Sequence, residues 1–408
     1  MSRIDELIEE FCPSGVEFRE LQDLFTTKGG YTPSKSDVSA WADGTVAWFR
    51  MEDIRENGRI LGGSLQRINE NAVKGGRLFP ANSILVATSA TIGEHALITV
   101  PHLSNQRFTS LTLKPAFTEI FDTKFIFYYC FVLDEWCRNN TTTSSFSSVD
   151  MTGFRKFKFP MPPLEVQREI VRILDQFTEL EAELEAELEA RRRQYEHYRT
   201  RLLDDVSHEA ERLELGEVGQ IVTGRTPKAS AVTAWGSALD FVTPSDIKNG
   251  MRAVSTPARR LSQAGADSMS KTLVPAGSLL VTCIGADMGK TVINANDCVT
   301  NQQINAIVPT IGVHDGYLFH VLTSMRDRIR AQGERAGGTM PIINKTDFSK
   351  IQVLIPTLDT QKSIAAQLDK FDALVYDLSV GLPAELAARR KQYEHYRDQL
   401  LTFEEATA

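Results

Sequence analysis

The residues with the most obvious chemical potential form a glycine-rich run, Gly285-Ala286-Asp287-Met288-Gly289-Lys290-Thr291. A phosphate-cradling loop needs four residues between its glycines so that successive backbone N–H groups can wrap the phosphates. Three intervene here, and the corresponding Ile92-Gly93-Glu94-His95 has no lysine, so both runs read as turns. Met161-Pro162-Pro163-Leu164 has the two prolines of an N-P-P-F adenine-methylation loop but neither its leading polar residue nor its aromatic. Pro-Pro ahead of a long periodic run is instead a helix start. His95, His102, His197, His208, His314, His320 and His395 show no metal-ligand spacing, and G-x-S-x-G, H-E-x-x-H and dinucleotide-binding fingerprints are missing. The expectation is a chain that catalyses nothing alone, has no metal site and carries no cofactor of its own.

The elements that would carry any binding chemistry are written twice. Residues 190–199, ARRRQYEHYR, return as 388–397, ARRKQYEHYR. Leu78-Phe79-Pro80-Ala81-Asn82-Ser83-Ile84-Leu85-Val86 is answered by Leu273-Val274-Pro275-Ala276-Gly277-Ser278-Leu279-Leu280-Val281, and Asn105-Gln106 by Asn301-Gln302. Phe154 … Pro162 and Leu164-Glu165-Val166-Gln167 are answered by Phe348 … Pro356 and Leu358-Asp359-Thr360-Gln361. Order is kept throughout, so the chain is a tandem duplication of a unit of roughly 195 residues.

Each unit opens with a head of short β-prone runs punctuated by Asn57-Gly58, Gly62-Gly63, Gly75-Gly76 and Asn249-Gly250 turns, which predicts a mixed domain of short strands and a few helices. The second part lacks Gly and Pro from Glu165 to about Asp205. Its apolar residues (Val166, Ile170, Ile173, Phe177, Leu180, Leu184, Leu188, Tyr195, Tyr198, Leu202) step by threes and fours over most of its length. That spacing predicts one helix about 60 Å long at about 1.5 Å per residue, too long to bury its stripe unaided. The partner is the other copy, parallel or antiparallel, whose stripe runs Ile364, Leu368, Phe371, Val375, Leu378, Leu382, Leu386, Tyr393, Tyr396 and Leu400. The expected coiled-coil core is Ile170, Ile173, Phe177, Leu180, Leu184 and Leu188 against Ile364, Leu368, Phe371, Leu378 and Leu386. Gly381 and Pro383 predict a break near 380–383. The tyrosine pairs Tyr195/Tyr198 and Tyr393/Tyr396 would close the helix ends against the opposite head. The resulting layout is 1–163 head one, 164–208 long helix one, 209–356 head two and 357–408 long helix two.

Composition excludes other classes. With 42% hydrophobic and 24% charged residues, the chain is neither disordered nor collagenous. Its opening MSRIDELIEEF is too acidic for a targeting leader, and nothing approaches an apolar run of about 20 residues. Cys12, Cys130, Cys137, Cys283 and Cys298 contain no C-x-x-C pair and read as buried small hydrophobes in a reducing, cytoplasmic setting. The net charge of −8 is unevenly spread. Residues 16–160 carry 16 basic and 15 acidic groups, and residues 213–356 carry 14 and 11, whereas 161–212 carry 8 and 14. Because screening acts over about 8–10 Å, a phosphate backbone would feel the neutral-to-basic heads rather than the acidic helices.

Taken together, the Gly29-Gly30-Tyr31-Thr32-Pro33-Ser34 and Gly224-Arg225-Thr226-Pro227 turns, Ala90-Thr91-Ile92-Gly93, Asn105-Gln106 and Asn301-Gln302-Gln303, the Pro-Pro-Leu-Glu-x-Gln-Arg helix start at 162–168 and the two QYEHYR helix ends carry a family resemblance. Over essentially its full length the chain resembles the specificity subunit of type I restriction–modification systems. It departs from the family pattern at Thr357 and at Gly381/Pro383. The resemblance implies an α+β fold with two target-recognition domains separated by two long helices that pair as an antiparallel coiled coil, with a pseudo-two-fold repeat. It implies a non-catalytic subunit that reads a split asymmetric site in double-stranded DNA, one half per domain. It also implies two methyltransferase subunits and restriction-motor subunits as partners, to which S-adenosylmethionine, ATP and Mg²⁺ belong.

The residues that would touch DNA follow from chemistry. Phosphates favour Lys, Arg, Ser and Thr on exposed turns, and base edges favour Arg, Lys, Asn and Gln. In head one the candidates are Lys28, Tyr31, Thr32, Ser34, Lys35, Arg50, Ser89, Thr91, Arg107, Thr143 and Ser144; in head two they are Arg225, Thr226, Lys228, Thr243, Lys248, Lys290, Gln303 and Thr339. Solvated turn residues or helix caps would account for the same residue types, and Asn105-Gln106 and Asn301-Gln302 could instead be buried amides holding a strand. The competing reading is a coiled-coil scaffold whose heads bind protein.

Overall fold

The computed structural model describes residues 3–142, 147–228, 231–335, 340–377 and 381–406. The chain forms two compact units, 1–181 with 389–408, and 182–388. Each unit therefore combines one head with the head-proximal half of one long helix and the end of another.

Head one contains β1 (Phe18–Glu20), β2 (Phe25–Gly29), β3 (Val46–Phe49), β4 (Ile60–Leu61), β5 (Gln66–Ile68), β6 (Ser83–Ala87), β7 (His95–Ile98), β8 (His102–Ser104), β9 (Phe108–Leu113), β10 (Thr141–Thr142), β11 (Ser148–Val149) and β12 (Lys158–Pro160). Head two contains β13 (Glu211–Glu214), β14 (Gly219–Thr223), β15 (Trp235–Val242), β16 (Ala253–Val254), β17 (Arg259–Leu261), β18 (Leu279–Thr282), β19 (Thr291–Asn294), β20 (Cys298–Thr300), β21 (Ile304–Pro309) and β22 (Gln352–Ile355). The five-stranded sheets have orders β2-β9-β6-β7-β4 and β14-β21-β18-β19-β16, and the three-stranded sheets β5-β3-β8 and β17-β15-β20. These sheets correspond strand for strand, which is the structural form of the duplication; the β10–β11 pair of head one has no counterpart strand pair among the described residues of head two.

Strand geometry explains how the short apolar runs build a core. Successive side chains on a strand point to opposite faces, and all five residues of β6 are buried. Ile84 and Val86 face a core containing helix α1 (Thr123–Asn139), while Leu85 and Ala87 face the three-stranded sheet through Trp48, Phe49 and Leu103. In head two Leu279 and Val281 face helix α2 (Asp315–Ser324), and Leu280 faces the opposite side with Val242 and Val292. A sheet covered on both faces reads as a continuous apolar run rather than an alternating one.

The uninterrupted stretch after Pro163 is one helix, α3 (Leu164–Asp204), of 41 residues. The second copy is broken as Gly381/Pro383 predicted: α4 (Leu358–Tyr376) ends and α5 (Leu382–Leu400) begins anew. Gly381 lies where a Cβ would press on the carbonyls of Ala373 and Leu374, so a larger residue could not make this turn without displacing backbone.

Within each unit the helices pair antiparallel. In the first, Phe177 of α3 stacks on Tyr396 (5.5 Å) and lies 6.3 Å from Tyr393, and Glu181 pairs with Arg390 at 2.6 Å. In the second, Phe371 of α4 stacks on Tyr198 (5.5 Å) and Tyr195 (6.5 Å). Each QYEHYR tyrosine pair thus packs in the unit built on the other copy's head.

The core of these helices differs from expectation at one position. Ile170, Ile364 and Leu368 are buried, Leu188 and Leu386 nearly so, and Ile173, Phe177, Leu184 and Phe371 are half-buried. Leu180, expected in the core, is 49% exposed. The buried line of α3 climbs by fours through Val166, Ile170 and Leu174. At about 100° per residue, Leu180 lies roughly 120° around the helix from Leu174 and faces outward. Leu378 lies outside the described residues.

Candidate nucleic-acid interface

The motifs shared by the two heads meet at one place in each. The backbone N–H of Gly30 donates to Phe108 O (3.0 Å) and that of Tyr31 to Ser104 O (2.8 Å); their counterparts Gly224 and Arg225 donate to Ile304 O (3.2 Å) and Thr300 O (2.8 Å). A Cβ on Gly30 would collide with the Asn105 carbonyl, and one on Gly224 with the Asn301 carbonyl. Thr32 Oγ1 then donates to Gln106 Oε1 (2.5 Å), and Thr226 Oγ1 to Gln302 Oε1 (2.7 Å). The Gly-x-Thr turn and the Asn-Gln turn are one clamp, and only glycine permits the backbones to approach this closely.

Asparagine closes the second half of the clamp. Asn105 Oδ1 accepts from Arg107 N (3.0 Å), and Asn301 Oδ1 from Gln303 N (3.1 Å), an Asx turn in each head. Their own N–H groups donate to Phe49 O and Val242 O, both at 3.1 Å. The amides hold the turn, and they sit part-exposed at the strand ends rather than in the core.

Several candidates therefore share one end of a head. Lys28 is exposed near the end of β2, and Arg107, also exposed, follows the clamp. Arg50 and Thr243 follow β3 and β15, and each donates its backbone N–H to an aspartate three residues on, Asp53 (2.6 Å) and Asp246 (2.8 Å). Ser89 and Thr91 lie on the β6–β7 turn, where Ser89 bridges Ser148 and Ala90 takes φ 67°. Ser34, Lys35, Arg225, Thr226 and Lys228 are exposed on the loops that leave the clamp. Tyr31 is committed elsewhere, its hydroxyl donating to Ala72 O and accepting from Lys74 N, both at 2.8 Å. Gln303 is part-buried, its Oε1 accepting from Asn301 Nδ2 at 3.0 Å.

Two further candidates border a cavity. Lys290 is mostly buried and pairs with Asp287 at 3.0 Å. With Lys248 it lines a cavity of about 390 Å³ against Phe319, Arg326 and Tyr376 on the helical side. The glycine-rich run is the β18–β19 connection. Thr143, Ser144 and Thr339 lie outside the described residues.

Sequence reasoning missed the residues that fix the long helices to the heads. Fully buried Gln167 accepts from Asp122 N (2.8 Å) and donates to Ile120 O (2.9 Å) and Pro162 O (2.7 Å). Gln361 accepts from His314 N (2.8 Å) and donates to Gly312 O (3.0 Å) and Pro356 O (2.8 Å). Their repetition in the two helix starts was the available signal. In the second unit His320 Nε2 lies 2.7 Å from Asp369 Oδ1, Arg252 Nη2 donates to Asp369 Oδ2 (2.9 Å), and Tyr195 donates to Asp372 (3.2 Å). Burial pushes the His320 imidazole pKa down and the Asp372 carboxyl up. Burial also resists ionising Asp369, but the His320 hydrogen bond and the Arg252 guanidinium outweigh it and hold that carboxyl below its ordinary range. The five cysteines are free and buried. Among the described residues no cluster of three or more His, Cys, Asp or Glu side chains could hold a metal ion, and no helix is long and apolar enough to cross a membrane.

Comparison with known proteins identifies the family of the chain. A family model described as the type I restriction modification DNA specificity domain matches residues 13–190 and 208–388. The chain is 42% identical over 377 residues to the type I restriction enzyme EcoprrI specificity subunit of Escherichia coli, covering 89% of each. It is 30% identical over 280 residues to the EcoR124I/EcoR124II specificity subunit of the same species, covering 65% of this chain and 69% of that one. A chain solved in work on complex assembly and conformational transition of the type I restriction–modification system superposes with a TM-score of 0.64 at 17% identity, covering 95% and 98%; that likeness is one of fold. With two matched domains and a near-full-length relative at this identity, the chain belongs to the family of type I restriction–modification DNA specificity subunits.

Proposed function

We propose that this chain reads a bipartite, asymmetric site in double-stranded DNA, one half-site per head, and directs partner subunits that carry the chemistry. The observation that carries the reading is the repeated clamp. Two heads of identical strand order hold the same Gly-x-Thr and Asn-Gln frame while differing in the residues beside it, Tyr31 and Arg107 against Arg225 and Gln303. A duplicated frame with divergent side chains suits two different half-sites read in the same manner.

The partners in this reading are two methyltransferase subunits and the restriction-motor subunits, with S-adenosylmethionine, ATP and Mg²⁺ bound by them. The relatives, which are specificity subunits of type I restriction enzymes, and the structure from work on complex assembly support such a division of labour. The setting is cytoplasmic. The helix α3, about 60 Å long, would act as a spacer that fixes the gap between half-sites.

The test is methylome sequencing of a host expressing the chain with its cognate methyltransferase. The reading requires a split motif with methylated adenine in each half and a fixed unspecific gap. Unmodified DNA from a folded, co-purifying complex would favour a protein-binding scaffold. DNA affinity of that complex should also fall steeply with salt through counterion release.

A further inference from the structure

The clamp presents one residue per head in a fixed backbone position. Arg107 and Gln303 are each the third residue of an Asn-Gln-x turn whose first two members are the same in both heads. Each has its N–H held by the preceding asparagine side chain. Each also has its carbonyl tied to the neighbouring strand, by Thr88 N (3.0 Å) in head one and Cys283 N (2.7 Å) in head two. Both backbone polar groups are thus engaged identically, and only the side chain differs.

The two side chains have complementary recognition chemistry. Arg107 is exposed and carries a planar donor fork, the geometry that meets O6 and N7 of guanine. Gln303 carries one donor and one acceptor, the pair that meets N7 and N6 of adenine. Its Oε1 is oriented by Asn301 Nδ2 at 3.0 Å, and a carbonyl oxygen has a second lone pair to offer. Orienting the amide in advance lowers the entropy lost on binding a base.

We infer that Arg107 and Gln303 are equivalent specificity-determining residues, Arg107 selecting a G·C pair in one half-site and Gln303 an A·T pair at the corresponding position of the other. This inference rests on the DNA-reading function proposed above. Tyr31 does not compete for the head-one role, because its hydroxyl is bound to the 72–74 segment.

The experiment uses the assembled complex with its methyltransferase and compares methylomes of the parent chain, Arg107→Ala, Arg107→Gln and Gln303→Arg. Arg107→Ala should relax one G·C position in one half-site and lower methylation of the consensus about ten- to a hundredfold relative to the mismatched site, leaving the other half unchanged. Arg107→Gln should move preference at that position toward A·T, and Gln303→Arg should move the other half toward G·C. A uniform loss across all sequences with base preference intact would overturn the inference and make Arg107 a phosphate contact, which would also reduce the salt slope by about one. Unchanged motifs in all three variants would likewise overturn it. Failure of the underlying function would look different, since the parent chain would then give no split motif.

Discussion

Phe177 and Tyr396 come from opposite copies of the repeat and stack with centroids 5.5 Å apart and ring planes 26° from parallel. Phe371 and Tyr198 repeat this relationship at 5.5 Å and 23°. Each compact unit is therefore finished by the QYEHYR end of the other copy's helix. Phe177→Ala should destabilise the first unit by about 2 kcal/mol, and a double-mutant cycle with Tyr396→Ala should give a coupling of about 0.5–1.5 kcal/mol. Urea denaturation of the chain checks both values, and additive effects would deny the contact.

Gln167 and Gln361 satisfy three backbone groups each inside the protein. Gln167→Leu keeps the volume but orphans one N–H and two carbonyls, so a loss of about 2–4 kcal/mol is expected. Gln361→Leu should behave alike in the second unit. A shift of less than about 0.5 kcal/mol in either variant would contradict the role of these amides in fixing the long helices to the heads.

Acid should weaken the first head through His102. Burial between Phe49 and Phe79 pushes its imidazole down to about 4, against the Val100 carbonyl that favours the charged form. A base with a depressed folded-state pKa contributes stability above its unfolded value of about 6.5, and that contribution is lost as pH falls toward 4. The expected loss is about 3 kcal/mol across that window. Comparing thermal melts of the parent and His102→Gln between pH 7 and 4 checks this; the variant should show the shallower decline.

Much of this architecture was legible because it depends on local pattern. The uninterrupted run after Pro163 gave α3 its length, and Gly381/Pro383 marked the break, because glycine and proline act on their own backbone. The clamp was visible only as two separate motifs. Gly30 and Asn105 are 75 positions apart, and their collision-distance packing belongs to the tertiary fold. Leu180 illustrates the opposite limit. Steps of three and four define a broad stripe, and which edge of it is buried depends on how α3 rolls against the head. Lys290 looked available in the sequence but folds back onto Asp287, as a charge in a tight connection can.

If α3 sets the gap between half-sites, inserting four residues, Leu-Glu-Ala-Glu, after Glu185 extends it by about 6 Å, close to two base-pair steps of 3.4 Å. The unspecific gap of the methylated motif should then widen by one or two base pairs while both half-sites keep their bases. Changed half-sites, or an unchanged gap in an active complex, would contradict the spacer.

If each head reads one half-site, exchanging a single head should exchange one half of the motif. Residues 209–356 would be replaced by the matching segment of the E. coli EcoprrI relative, and the methylome recorded with the same methyltransferase. The expected result is a hybrid motif in which one half is retained base for base and the other is new, with the gap unchanged. An active complex in which both halves change, or neither does, would contradict it.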